Sequence, residues 1–427
     1  MRAVSEPVTF GPFRLAQSAS RLERDGAAVD LRPQALAALE ALLHHTGRYV
    51  DYDSMIHEAW AGVVVSKHTV AVTVGEVKRA LQEFGEWISY RPRLGYRLEV
   101  PHSEDLVRQG IHFGNRFTRE GLERALELYR RAATQDSNDL RAIEGLANTY
   151  LLLGTFGMQP APAMYQAFLD AHRRAVAVGG MTPDLRGERG HGLHVFEHKL
   201  VEAEAELRRA HAEKPESGTI RVRLAMFFAT TGRLDEGWNV LAQAPSGDSL
   251  KGTFPPAEVF ILTCRGEVSA AIDAGARAVD LHPYMPLARA LYADALNRAG
   301  RGEEALKQYQ HACLMSPDLP WLRAMEGAVL ARLGRRAEAL EIIEELDRIR
   351  EVEYVDAYFM AILLHAFERP DAAFQELERA AAENSATLFL LDVDPRLDPL
   401  RADPRFRRVR DRVFAPAARP GRSKAAG

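Results

Sequence analysis

The chain is predicted to be mainly α: a small N-terminal α+β domain followed by a solenoid of stacked helix pairs. Three observations predict this. Small residues recur at Ala203, Gly237, Ala271, Ala305, Ala339 and Ala373, each step 34 residues, an interval typical of two-helix repeats. Ahead of them, residues 65–100 join an apolar helical stripe to an alternating, arginine-rich hairpin. Charge separates the regions further. Within an overall net charge of −4, residues 1–101 are neutral, residues 102–395 carry −11 and residues 396–427 carry +7. The acidic middle should repel nucleic acid, whereas the basic end is expected to be solvated or folded back onto it.

The N-terminal elements follow in order. Phe10–Leu15, Arg21–Arg24 and Ala27–Leu31 read as short strands, with a turn at Asp25-Gly26. A helix starts at Pro33, buries Leu36, Leu39, Leu42 and Leu43, and stops at Gly47. Asp53 is expected to cap a shorter helix reaching Trp60, and Ala61–Val65 links it to a third. There Ser66 stands at the N-cap, and Val70, Val74, Val77 and Leu81 form one buried stripe. The hairpin from Ile88 to Val100 carries Arg91, Arg93 and Arg97 around Gly95, so a tight turn would present three guanidinium groups to phosphates. Strands, three helices and a basic hairpin make a winged helix.

In residues, this region resembles the OmpR/PhoB-type DNA-binding domain, closest to its HilA/CadC-like branch. The matching markers are Leu31-Arg32-Pro33, Glu58-Ala59-Trp60, Val65-Ser66, Val77-Lys78-Arg79-Ala80-Leu81 and Arg93-Leu94-Gly95-Tyr96-Arg97, over about residues 8–100. The resemblance implies a third helix in the major groove of promoter DNA, a wing at the minor groove, and a loop facing RNA polymerase, here Gly62, Val63 and Val64. The implied DNA contacts are Lys67, His68, Thr69, Thr73, Lys78, Arg79, Arg91, Arg93 and Arg97. The third helix departs from the family in carrying Gly75 and Glu76 at two groove-facing positions, which implies modest affinity per copy. Binding as a homodimer on direct repeats would compensate.

The repeats keep several markers in register. Ala210, Ala244, Ala278, Ala312, Leu346 and Ala380 lie seven residues beyond each small residue; Gly232, Gly266, Gly300 and Gly334 lie five before the middle ones; Pro215, Pro283 and Pro317 lie twelve after. The glycine closes one helix, the small residue lets the next pack closely, and the proline ends it. Ala305-Tyr309-Ala312-Pro317 shows most clearly the resemblance to the tetratricopeptide (TPR) family, whose arrays bind partners on a concave face. An earlier copy, Ala125-Tyr129-Ala132, precedes Ala203 by two periods plus ten residues, so an insertion is expected near 154–163. The expected organisation is therefore a DNA-binding domain at 1–101, a linker at 102–114, the array at 115–384, a C-terminal cap at 385–414 and a disordered basic tail at 415–427.

Catalytic and cofactor motifs are missing: there is no GxxxxGK[ST], GxGxxG after a strand, HExxH or CxxC. No enzyme activity, cofactor or metal is expected. His191, His194, Glu197 and His198 share a helical face in the manner of metal ligands, but the repeat register puts His191 and His194 on a packing side. The register assigns Asp294, Asn297, Arg298, Trp321, Arg332 and Tyr358 to a concave groove suited to a protein, peptide or small-molecule effector. No apolar run reaches the ~18 residues of a membrane helix, and the start lacks a secretion signal, so the chain is expected in the cytoplasm with Cys264 and Cys313 reduced. The leading expectation is a transcription regulator whose array sets its output. The alternative is a protein-interaction adaptor whose first domain has lost DNA binding.

Overall fold

In the computed structural model, residues 8–16, 21–24, 27–100, 103–242 and 254–414 are described. The Asp25-Gly26 turn, Ala244 and the tail at 415–427 lie outside them. Contacts divide the chain into two compact units: residues 1–109 with 128–142, and residues 110–127 with 143–427.

The first unit opens with an antiparallel meander of β1 (Val8–Phe10), β2 (Phe13–Ala16), β3 (Arg21–Arg24) and β4 (Ala27–Val29). Three helices follow, α1 (Pro33–His44), α2 (Tyr52–Ala59) and α3 (Lys67–Ala80), then a hairpin of β5 (Ile88–Arg91) and β6 (Gly95–Leu98). The cap of α2 is Asp51, whose carboxylate accepts from the Ser54 amide at 2.8 Å; Asp53, expected there, is a first-turn residue instead. One core joins Phe13, Leu15 and Leu22 from the sheet to Leu39, Leu42, Val70, Val74, Val77, Ile88 and Leu98. This is the winged helix the sequence predicts. Within the same unit, Arg131 pairs with Glu86 at 2.8 Å.

Residues 102–114, expected as a linker, are largely helical: α4 spans Ser103–Gly114 and α5 spans Arg119–Gln135. In the second unit, α6 (Leu140–Thr155) pairs with the long α7 (Ala161–Gly179). After them come α8 (Pro183–Val195) with α9 (Leu200–Glu213), α10 (Gly218–Thr230) with α11 (Leu234–Ala242), and α12 (Phe254–Arg265) with α13 (Val268–Leu281). The last pairs are α14 (Pro286–Arg298) with α15 (Gly302–Met315), α16 (Pro320–Arg332) with α17 (Arg336–Ile349), and α18 (Ala357–Ala366) with α19 (Pro370–Ala382). Every small residue of the 34-residue series lies on the second helix of its pair. Gly232, Gly266, Gly300 and Gly334 turn the chain between helices at φ of +76° to +81°, a conformation a side chain disfavours. The extra residues before Ala203 are not one loop. Helices α6 and α7 run to 16 and 19 residues, against 13 and 14 in the α14–α15 pair.

Candidate nucleic-acid interface and concave face

Helix α3 is fixed at its start by Ser66, whose hydroxyl accepts from the Thr69 amide at 3.1 Å. Val70, Thr73, Val74 and Val77 are buried. The opposite face therefore presents His68, Ala71, Val72 and Arg79 around Gly75. Thr73, expected to contact DNA, is on the wrong side: it is 5% exposed and its hydroxyl donates to the Thr69 carbonyl at 2.9 Å. It stands three residues after Val70 and four before Val77, within the buried stripe. Val72 takes its place, 47% exposed at the helix surface. Sequence reasoning missed it, although the same spacing that buries Val70 and Val74 turns Val72 outward.

Glu76 does not face the groove unpaired. Its carboxylate accepts from Arg32, just before α1, with Nε 2.9 and 3.0 Å from its two oxygens. That hydrogen bond holds the acid below the usual carboxylate range. Around Gly75 no atom comes within 4 Å of where a Cβ would stand, so the free protein tolerates the glycine without requiring it. Lys67, His68 and Thr69 are exposed, and Lys78 is half-buried. The Lys67 ammonium sits 5.3 Å over the Tyr52 ring, and Tyr52 meets Tyr90 and Tyr96 of the hairpin at 6.4 and 6.0 Å. Aromatic packing thus brings the start of α3 beside the wing.

The wing pairs Arg91 with Gly95 and Tyr90 with Tyr96. It is anchored by reciprocal bonds between Val50 and Tyr96, 2.7 and 2.9 Å. Gly95 is needed there. Its φ is +93°, and a Cβ would lie 1.9 Å from the Val50 carbonyl oxygen. Arg91 and Arg93 stand exposed at the turn and make no ion pair among the described residues. Arg97 differs from the expectation: its guanidinium lies 5.0 Å over Tyr49 and pairs with Glu99 at 2.5 Å, which makes it a brace of the hairpin base. The loop before α3 is open, with Val63 and Val64 64% and 94% exposed and Gly62 at φ +80°.

On the concave side of the array, the expected groove is already occupied. After α19 the chain folds back through two 3-10 turns, Ala386–Leu390 and Pro395–Leu400, into α20 (Pro404–Val413). Arg396 places Nη1 3.2 Å from Asp294 and 3.1 Å from the Met325 sulfur, and Nη2 2.7 Å from Asp394. Tyr309 donates to Asp294 at 2.6 Å and Tyr358 to Asp394 at 2.8 Å. Trp321 is buried and stacks on Phe359 at 5.3 Å. Asp294, Trp321 and Tyr358 are thus engaged within the chain. Asn297 is half-buried, and only Arg298 and Arg332 of the six are exposed. The Asp-Pro run forms the terminal cap that the sequence predicts; its Arg396, half-buried between Asp294 of the array and Asp394 of the segment itself, is a feature the spacing does not signal.

The histidine cluster resolves into core contacts. His191 Nε2 meets the Thr155 hydroxyl at 2.9 Å and His194 Nε2 meets the Thr230 hydroxyl at 3.0 Å, while the His198 ring lies 5.2 Å from Phe414. Burial drives the His194 imidazole down to about 3, so it is neutral. Glu197 is bound by Tyr165, Arg189 and Lys199. Among the described residues, no group of side chains suited to a metal ion occurs, and no helix is long and apolar enough to cross a membrane.

A helix-turn-helix with an exposed third helix beside a basic wing, followed by paired helices, defines a winged-helix domain joined to a TPR-like solenoid. Residues 26–98 match the model of "Transcriptional regulatory protein, C terminal", a domain of the OmpR/PhoB-type winged-helix kind. The transcriptional activator CadC of Escherichia coli (strain K12) is 26% identical over 98 residues, which are 22% of this chain and 19% of that protein. The match thus spans about a fifth of the activator. Among solved structures, the crystal structure of the APC/C hetero-tetramer Cut9-Hcn1 superposes with a TM-score of 0.50 at 14% identity, covering 85% of this chain and 72% of that one. At that identity the likeness concerns the fold alone.

Proposed function

We propose that the chain is a transcription regulator in which α3 enters the major groove, the wing grips the flanking backbone and the helical array sets the output. One observation carries the reading. Lys67, His68, Thr69 and Arg79 on α3, with Arg91 and Arg93 on the wing, are exposed cations and donors that form no ion pair among the described residues. Solvated arginines at adjacent element tips suit phosphates, while His68 and Val72 meet base edges; a valine methyl suits the thymine C5-methyl. Lys78, half-buried at the end of α3, is a flanking phosphate contact. Arg97 supports the wing.

The loop at Gly62, Val63 and Val64 is the surface for RNA polymerase. Two neighbouring valines, 64% and 94% exposed, suit burial by a protein partner. Two copies on direct repeats would add the modest contacts of each. The array binds a partner or effector, and Arg298 and Arg332 are the groove residues that remain open to it.

The test uses the full chain. Duplexes selected from a random pool should bind with an affinity that falls steeply with salt, log K against log salt having a slope of about −0.9 for each phosphate neutralised. Arg91→Ala and Arg93→Ala should each flatten it by about 1. Binding with no salt dependence, or no selected sequence, overturns the regulator in favour of the adaptor.

A further inference from the structure

Two cationic side chains of the first unit rest on tyrosines three residues apart, and they differ in one respect. Arg97 lies over Tyr49 and is also paired with Glu99. Lys67 lies over Tyr52, 5.3 Å from the ring centroid, is exposed, and makes no ion pair among the described residues. The difference matters for function. A carboxylate that holds a cation also cancels its charge. An aromatic face holds the cation through its quadrupole and brings no charge of its own, so the ammonium keeps its charge and its N–H donors for another anion.

The Tyr52 ring is itself held in place. Two residues before it, Val50 exchanges backbone bonds of 2.7 and 2.9 Å with Tyr96, and Asp51 caps the helix that Tyr52 begins, accepting from the Ser54 amide at 2.8 Å. Beside the half-buried ring, Tyr90 and Tyr96 stand at 6.4 and 6.0 Å from it and 5.0 Å from each other. Backbone and packing together leave it little freedom. The cluster reaches the wing, because Tyr90 adjoins Arg91 on β5. Tyr52 raises the Tyr90 phenol above its usual range, and the Lys67 charge works the other way, so the ammonium is felt at that strand. A lysine head group on a flexible four-carbon stem must otherwise be ordered when it meets a phosphate, and that ordering costs affinity. Placement in advance removes the cost.

We propose that Tyr52 is a positioning residue for DNA: its ring holds the Lys67 ammonium between the start of α3 and the wing, ordered in advance for one backbone phosphate. The inference rests on the regulator reading and deepens it, giving a role to a side chain that does not itself take the phosphate.

A double-mutant cycle on the full chain tests it, with a duplex selected by the wild type. Lys67→Met should lower affinity and flatten the salt slope by about 1. Tyr52→Leu should lower affinity about three- to tenfold, the lysine being no longer ordered. Tyr52→Phe keeps the ring face and should bind within about twofold of wild type. Because Tyr52 acts through Lys67, Tyr52→Leu should cost less than about twofold in the Lys67→Met background. A merely structural role in packing the wing would cost as much there as in the wild type. The inference is overturned if Tyr52→Leu binds like the wild type, if its loss persists in the Lys67→Met background, if Tyr52→Phe loses as much as Tyr52→Leu, or if Lys67→Met keeps the wild-type slope. Each of those results is read against a wild type that binds, so it leaves the regulator reading standing. A wild type without salt-dependent binding removes both.

Discussion

Arg396→Ala tests whether the returning C-terminal segment is held by charge or only by shape. The guanidinium stands between two carboxylates, Asp294 at 3.2 Å and Asp394 at 2.7 Å. Against burial, which works the other way, Arg396 and its hydrogen bonds keep Asp394 below the usual carboxylate range. Removing the cation leaves two acids facing each other away from water, and losing one partner of a buried pair costs about 3–5 kcal/mol. That is a large part of the ~5–15 kcal/mol that keeps a domain folded. Urea unfolding at neutral pH, followed by circular dichroism, reads the loss. Asp294→Asn in the Arg396→Ala background should recover part of it, since one unpaired acid is neutralised. The sign with pH is also fixed. Asp394, depressed in the folded state, contributes stability that is present above its unfolded pKa and is lost as pH falls through the folded value. The gap between wild type and Arg396→Ala should therefore shrink in acid. A loss below about 1 kcal/mol, or no recovery by Asp294→Asn, refutes the charge argument.

Other outcomes follow from single contacts. Gly95→Ala must move Val50 or the hairpin and adopt an unfavourable φ, costing at least ~1–3 kcal/mol of stability and, with the wing displaced, weakening DNA binding; a variant with wild-type Tm contradicts the 1.9 Å approach. Thr73→Ala should leave DNA affinity within about twofold while lowering stability by about 1 kcal/mol, because its hydroxyl is spent on the Thr69 carbonyl; a large affinity loss at unchanged Tm would restore it to the interface. His194 is depressed to about 3 by burial, so the unfolded chain takes up its proton first as pH drops. Stability should fall below the unfolded value near 6.5, by about 1.4 kcal/mol per pH unit, and His194→Gln should flatten that slope in acid-denaturation curves.

The parts of the fold that repeat or alternate were readable in the sequence. The 34-residue series located the second helix of each pair, because close helix packing demands a small residue at a fixed place. The period also marked the inter-helix glycines, whose positive φ admits little else. What escaped depends on which side of an element meets a neighbour. Thr73 and Val72 are adjacent; the spacing from Val70 to Val77 puts the threonine on the face that α1 covers, against what its polar side chain suggests. Glu76 alone reads as a defect of the recognition face, yet Arg32, 44 residues earlier, binds it. Arg97 alternates correctly along its strand, yet Tyr49 and Glu99 claim it. Spacing reports a direction from the backbone; it does not report the partner waiting there.

The basic end of the chain shows the same point at the scale of a domain. Its charge of +7 over residues 396–427 invites a role on DNA, but three of its arginines, Arg396, Arg405 and Arg410, are used at home. Arg396 binds Asp294 and Asp394. Arg405 reaches Asp371 on α19 at 2.6 Å, with its guanidinium 4.2 Å over Phe374, and Arg410 pairs with Asp392 at 2.9 Å. The acidic residues 102–395, net charge −11, are an electrostatic template for such a segment. The fold-back closes the groove to other occupants while the pairs last, because a competing peptide must replace a half-buried arginine as well as the apolar contacts of Leu391, Leu397 and Leu400. In the proposed reading, a partner of the array binds the face that remains open, the Arg298 and Arg332 rim, and need not displace the segment. On the same proposed reading, Arg91, Arg93 and the exposed face of α3 grip DNA, in a domain whose own net charge is zero. With no excess charge behind them, those few cations should account for nearly all of the salt dependence.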